Sequence, residues 1–223
     1  MEEALRLIAG RDRPILFLED KPHCVQRAIV VETPVREVYR PKNILSPVGW
    51  SDIGTFHSEI MTNYRSHIIE RALVNQRETL IDYSSRLFLT RENVSRPFNE
   101  SEVGALLAGM GFASVSLEKL SFDQQVASMA AAKVVIGPTG AQWAGWLFSD
   151  RAVGIILVPP FLRKSSLFAK LGAIGASELF EFTINTSDVA WSQYNTTRVH
   201  ATVDLNQLSV FLGHFSNGKE DGW

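Results

Sequence analysis

The chain has 223 residues, 45% of them hydrophobic and 21% charged, with a formal net charge of -2 and a pI near 6.2. Such a chain can bury a sizeable core, and its near-neutral charge gives no electrostatic footprint for nucleic acid or an anionic membrane. No apolar run approaches the roughly 18 to 20 residues that span a bilayer. The single cysteine, Cys24, leaves no internal disulfide framework, and MEEALRLIAGRDR lacks the basic-then-apolar order of a signal peptide. The expected localisation is therefore cytoplasmic, with a membrane-peripheral placement left open. The N-x-S/T sequons at Asn93, Asn99, Asn185 and Asn195 read as incidental in a reducing compartment.

In chain order, residues 14–18 (PILFL) and 28–32 (AIVVE) are short apolar runs expected as buried strands. Pro34, Pro41 and Pro47 mark 33–50 as an extended loop. Ser51 or Asp52 would cap a long helix running to about Gln76, with Ile53, Phe56, Ile60, Tyr64, Ile68 and Leu73 at roughly helical spacing. A regular alternation follows: strand 87–90, helix 99–110, strand 112–115, helix 121–131, strand 134–137, helix 141–148 and strand 153–158. It continues with helix 164–171, strand 179–184 and a terminal helix 205–214. Asn99 with Glu102, and Ser121 with Gln124, have capping-box spacing, and Gly111 suits a C′ position.

Strands alternating with helices predict a parallel α/β sheet covered on both faces. The expected organisation is a Rossmann-like unit over 81–215, a partial α/β lobe with the long helix over 1–80, and a flexible tail over 216–223. In such a sheet, ligands bind beyond the carboxyl ends of the strands. Arg91 and Arg96 fall in one loop at such an end, and arginine suits bidentate phosphate contacts. The loop leads into Asn99, so three polar groups converge. The bland alternative is a solvated loop.

A second loop, Gly137-Pro138-Thr139-Gly140-Ala141, runs from strand into helix. Gly140 would let backbone approach a ligand, and the helix start would offer N–H donors. A glycine turn needed for packing alone is the competing reading. Gln142, polar and in the first turn, is the better contact candidate there, whereas Trp143 and Trp146 read as core. A nicotinamide enzyme fits poorly, because Gly137-x-x-Gly140-x-x-x-x-Gly145 is not G-x-G-x-x-G and no acidic residue stands about 20 residues on. No Walker pattern, G-x-S-x-G, H-E-x-x-H or D-x-D occurs, and no metal site is expected. His57 and Glu59 near the long helix's start could include a general base, though solvated helix residues are the stronger reading of both.

The order of blocks resembles glycosyltransferase family 61. The resemblance rests on RLFLTR (Arg86 to Arg91), RPFNE (Arg96 to Glu100), Gly111-Phe112-x-x-Val115, Leu120-Ser121-Phe122-x-x-Gln125 and Ala132-x-VVIGPTGA. It covers 81–215 well and 1–80 loosely. It implies a GT-B-like enzyme whose Rossmann-like C-terminal domain holds a nucleotide-sugar donor, with a glycan or other hydroxyl acceptor against the other lobe. Transfer would be inverting, need no metal or other cofactor, and serve capsule or exopolysaccharide synthesis. Arg91 and Arg96 would neutralise the departing diphosphate, with the helix start at Ala141 adding N–H groups. Asn99 and Glu100 would orient the loop or bind hydroxyls. Thr139, Gly140, Ala141 and Gln142 complete the expected donor site, and His57 is the guess for the base. Thr139 stands where the family often has His, and Gly145 where it often has Asn. These departures and the short N-terminal part motivate a second reading, a non-catalytic nucleotide-sugar-binding module.

Overall fold

The structure is a computed structural model that describes residues 35–36, 55–56, 58–76, 84–91, 98–159, 166–186 and 201–216. The expected strands over 14–18 and 28–32, together with His57, Arg96 and nearly all of the 216–223 tail, lie outside the described residues.

Two short strands, β1 (Val35–Arg36) and β2 (Thr55–Phe56), pair antiparallel. This moves the start of the long helix. α1 spans Ser58–Gln76 rather than beginning near Ser51, because Thr55 and Phe56 are paired in extended backbone.

Five parallel strands form the main sheet: β3 (Arg86–Leu89), β4 (Ala113–Val115), β5 (Val134–Pro138), β6 (Val153–Val158) and β7 (Glu178–Thr183). Between them run α2 (Glu100–Gly109), α3 (Phe122–Ala131), a 3₁₀ helix (Ala141–Phe148) and α4 (Ser166–Ala173). A small antiparallel ribbon, β8 (Asn185–Thr186) with β9 (Ala201–Thr202), precedes α5 (Leu205–Ser216). The expected α/β, Rossmann-like parallel sheet is thus present.

The caps explain several boundaries. Ser121 Oγ accepts from Gln124 N–H while Gln124 Oε1 accepts from Ser121 N–H, so the predicted capping box opens α3. Gly111, at φ +82, takes the left-handed conformation just past α2, with its N–H donating to Ala108 O. The segment 141–148 winds as 3₁₀, and Trp143 N–H donates three residues back to Gly140 O.

Alternation along the strands divides the core between two faces. Leu87, Leu89, Val135, Ile156 and Val158 pack with Val126, Met129, Trp143, Trp146, Met61 and Ile68. Phe88, Val134, Ile136, Ile155 and Leu157 pack on the opposite side with Val103, Leu107, Leu208 and Leu212. α1 therefore lies on the same face as α3 and the 3₁₀ helix. Its buried stripe is Met61, Arg65, Ile68 and Ala72. Ile60 and Leu73, expected on the apolar face, are 51% and 43% exposed. Arg65 occupies the stripe because it closes the 3₁₀ helix: Nε donates to Leu147 O (3.0 Å) and Nη2 to Ser149 O (2.7 Å), and Nη2 pairs with Asp150 at 3.2 Å.

The strand order is β4-β3-β5-β6-β7. The chain leaves β3 toward β4 on one side, then returns to place β5 on the other side. The order is that of a flavodoxin-like sheet, and its topological switch point lies between β3 and β5. In sheets of this order the switch point, where successive crossovers depart in opposite directions, is where a ligand crevice forms.

Candidate functional site at the switch point

Register alone brings the two predicted loops together. Phe88 pairs with Ile136, so Arg91 and Thr139 each lie three residues further along neighbouring strands. The Arg91 guanidinium then crosses the gap: Nη2 donates to Pro138 O at 3.3 Å. It also fills the space beside Gly140, where an added β-carbon would overlap it. Gly140 itself has φ 161, which is ordinary extended backbone. Its missing side chain, not an unusual dihedral, is what the site uses.

The Pro138–Thr139 peptide is held from both sides. Thr139 N–H continues the ladder to Leu157 O (3.0 Å). Pro138 O accepts from Gln142 Nε2 (2.9 Å) and Trp143 Nε1 (3.0 Å) as well as from Arg91. Trp143 is fully buried, and its ring meets Trp146 edge-on at 5.6 Å between centroids. Both rings lie over Gly154 in β6, where an added β-carbon would stand 2.8 Å from Trp146 and 3.1 Å from Trp143. The expectation that both tryptophans belong to the core holds, and Trp143 also directs its N–H to the rim.

Glu100 opens α2 opposite Arg91. Its Oε1 accepts the Arg91 backbone N–H at 3.4 Å, which ties the end of β3 to the start of α2. Partial burial pushes its carboxyl above the usual range, while the hydrogen bond and the charge of Arg91 pull the other way. A carboxylate in the first turn also suits the positive end of the helix dipole.

Asn99 departs from expectation. It is the N-cap residue, but it makes no side-chain cap bond, so the predicted box with Glu102 does not form. Its Oδ1 accepts instead from Val203 N–H (2.8 Å), and Nδ2 donates to Val203 O (3.1 Å) and to Glu102 Oε2 (3.0 Å). A backbone group 104 positions away outcompetes the local N–H groups, and the side chain anchors the segment leading into α5. A parallel bridge between Phe98 and Ala201 runs alongside.

Of the expected site residues, the structure brings together Arg91, Glu100, Thr139, Gly140, Ala141 and Gln142 at the switch point. Asn99 adjoins them with its amide turned to Val203. Arg96 and His57 lie outside the described residues. Sequence reasoning missed Pro138 O and Trp143 Nε1 as anchors. The available signal was an indole placed five residues after a proline at a strand end, close enough for the turn to fold back on itself. Among the described residues, no group of three or more His, Cys, Asp or Glu is placed to hold a metal ion, and no helix is long and apolar enough to cross a membrane.

The family model described as Glycosyltransferase 61 matches residues 22–156, more than half of the chain. The match includes the Arg91 and Gly140 loops. It begins well before residue 81 and ends within β6, so it does not share the C-terminal emphasis of the motif resemblance. No curated protein matches the chain. The chain belongs to the Glycosyltransferase 61 family.

Proposed function

We propose that this glycosyltransferase moves a sugar from a nucleotide-sugar donor to a hydroxyl on a glycan, with the donor diphosphate seated at the β3/β5 switch point. The observation that carries the reading is the Arg91 guanidinium lying against Gly140 beyond two adjacent parallel strands. In such sheets this crevice is the ordinary ligand position. A fixed guanidinium there meets negative charge that grows on the diphosphate as the sugar–oxygen bond breaks, and so stabilises the transition state more than the ground state.

Arg96, in the same loop by sequence, would add a second positive charge. Arginine charge would do the work that a D-x-D-bound cation does in other sugar transferases, since the sequence lacks D-x-D. Glu100 would hold the Arg91 loop through its backbone N–H, and Asn99 would anchor the loop's far end through Val203. Gly140 and the N–H groups at the start of the 3₁₀ helix would approach the phosphates. Single displacement by the acceptor hydroxyl would invert the anomeric centre, with a base removing its proton. His57 is the candidate for that base. A polysaccharide-synthesis role, including capsule, fits this chemistry.

The test is a panel of nucleotide sugars with glycan acceptors in the presence of EDTA, with the product anomer read by proton NMR. Transfer with inversion supports the proposal. Retention of configuration, or dependence on added divalent metal, contradicts the corresponding part of it. Donor binding without turnover across the panel would favour the non-catalytic module, the reading suggested by Thr139 and Gly145.

A further inference from the structure

The Gln142 carboxamide has a donor end and an acceptor end, and the fold uses only the first. Nε2 donates to Pro138 O at 2.9 Å. That bond fixes which way the amide points, because a flipped amide would set its oxygen against the Pro138 oxygen, and two acceptors cannot pair. Oε1 is therefore turned away from the Pro138 carbonyl, and it has no partner among the described residues. The buried side-chain atoms without a partner, among those residues, are Asp123 Oδ1 and Trp146 Nε1. Gln142 Oε1 is not one of them, so it is open to solvent at a half-buried position on the rim. It also stands close to the proposed diphosphate seat. Gly140, Ala141 and Gln142 are consecutive, and Pro138 O receives Arg91 Nη2 at 3.3 Å as well as the Gln142 amide. Thr139 N–H on Leu157 O holds the Pro138–Thr139 peptide, so the carboxamide is braced against fixed backbone.

We infer that Gln142 is a specificity-determining residue whose Oε1 accepts a hydrogen bond from a ring hydroxyl of the nucleotide sugar, on the ribose or on the transferred sugar. The inference rests on the donor-site reading and adds what this side chain recognises there. An ionised diphosphate carries acceptor oxygens only, so Oε1 repels it rather than binds it. The groups that flank a diphosphate in a nucleotide sugar are sugar rings, and their hydroxyls can donate. A hydroxyl also accepts, so the second Nε2 hydrogen, which Pro138 O does not use, suits the same partner. Arg91 thus supplies charge for the phosphates, and Gln142 supplies a neutral acceptor for a hydroxyl beside them. A site built to pair with a hydroxyl discriminates against the analogue lacking it, because its own polar group is then left unpaired in the complex.

The test is calorimetric titration of wild type, Gln142→Met and Arg91→Ala with uridine and guanosine diphosphates, their 2′-deoxy and 3′-deoxy forms, and the nucleotide sugars UDP-glucose, UDP-xylose and GDP-mannose. Gln142→Met keeps the side-chain length, and its lost bond to Pro138 O is common to all ligands. The difference between ligands therefore isolates the Oε1 contact. For a ribose contact, Gln142→Met is expected to weaken diphosphate binding about three- to tenfold, and the loss should vanish with one of the deoxy forms. For a contact to the transferred sugar, diphosphate binding should be unchanged and at least one nucleotide sugar should weaken by the same factor. An equal loss for every ligand, both deoxy forms included, would show a merely structural effect and overturn the inference. So would no loss for any. Wild type alone supplies a further check that needs no variant to fold. The inference fails if wild type binds both deoxy forms as tightly as the parent diphosphates and no nucleotide sugar more tightly than its diphosphate. Wild-type affinity in Arg91→Ala would instead contradict the donor-site reading on which the inference stands.

Discussion

The Arg91 guanidinium occupies the volume that a β-carbon on Gly140 would need. The two residues stand at the ends of β3 and β5, adjacent in the sheet and 49 positions apart in the chain, a separation obtained as 140 minus 91. Gly140 therefore has a direct role in where the charge of Arg91 sits.

Gly140→Ala follows from that contact. The extended backbone at Gly140 accepts alanine, so the methyl group displaces the guanidinium rather than the main chain. Nucleoside diphosphate affinity is expected to fall about tenfold, on the scale of a weakened charged hydrogen bond. The melting temperature should move little. Calorimetry together with a thermal melt separates the two effects.

Asn99 joins the start of α2 to the segment before α5 through both atoms of its amide. Asn99→Ala removes both bonds to Val203 and is expected to cost about 1–3 kcal/mol. Asn99→Asp keeps the acceptor for Val203 N–H but sets a carboxylate oxygen against Val203 O and Glu102, so it should be little better than alanine. Urea denaturation of the two variants measures the difference.

Arg65 closes the C-terminal end of the 3₁₀ helix from within the buried face of α1. Its side chain is 11% exposed, so removing it leaves the Leu147 and Ser149 carbonyls poorly solvated. Arg65→Ala is expected to destabilise by about 2–4 kcal/mol through lost charged hydrogen bonds. Arg65→Lys should recover only part, because one ammonium cannot reproduce the two-nitrogen fork. Denaturant titration checks both.

Glu100 gives a pH dependence of definite sign. Its carboxyl is raised in the folded protein, chiefly by burial, so the folded state holds the proton more tightly than the unfolded chain. Its contribution to stability is fully present below the ordinary glutamate range, near pH 4, and is lost as pH rises through the raised value. Glu100→Gln keeps an acceptor for Arg91 N–H and removes this loss. The variant should melt above wild type at pH 7, with the gap closing toward pH 4. A gap that widens on acidification would reverse the assignment.

Signals of short range were the legible ones. The Ser121–Gln124 box, the left-handed Gly111 and the apolar run 153–158 depend on neighbours along the chain, and each appears where the sequence places it. The Asn99 box looked equally good, but Val203 competes for the same amide from 104 positions away. The apolar face of α1 was legible at Ile68 and Tyr64 but not at Ile60 and Leu73, because the buried stripe includes Arg65, a charged residue drawn inward by carbonyls of another element. Strand order was not readable locally, and the switch point exists only in that order. The Arg91 and Gly140 loops were legible as candidates. Their meeting, and the Pro138 carbonyl between them, required the register of β3 against β5.

The central claim is that Arg91 binds the donor diphosphate. Its most direct test is calorimetric titration of wild type and Arg91→Ala with a panel of nucleoside diphosphates at fixed ionic strength. At least one diphosphate should bind the wild type, and the variant should lose about 1.5–3 kcal/mol of that binding, the range for a hydrogen bond to a charged group. Equal affinity in the two proteins would contradict the account.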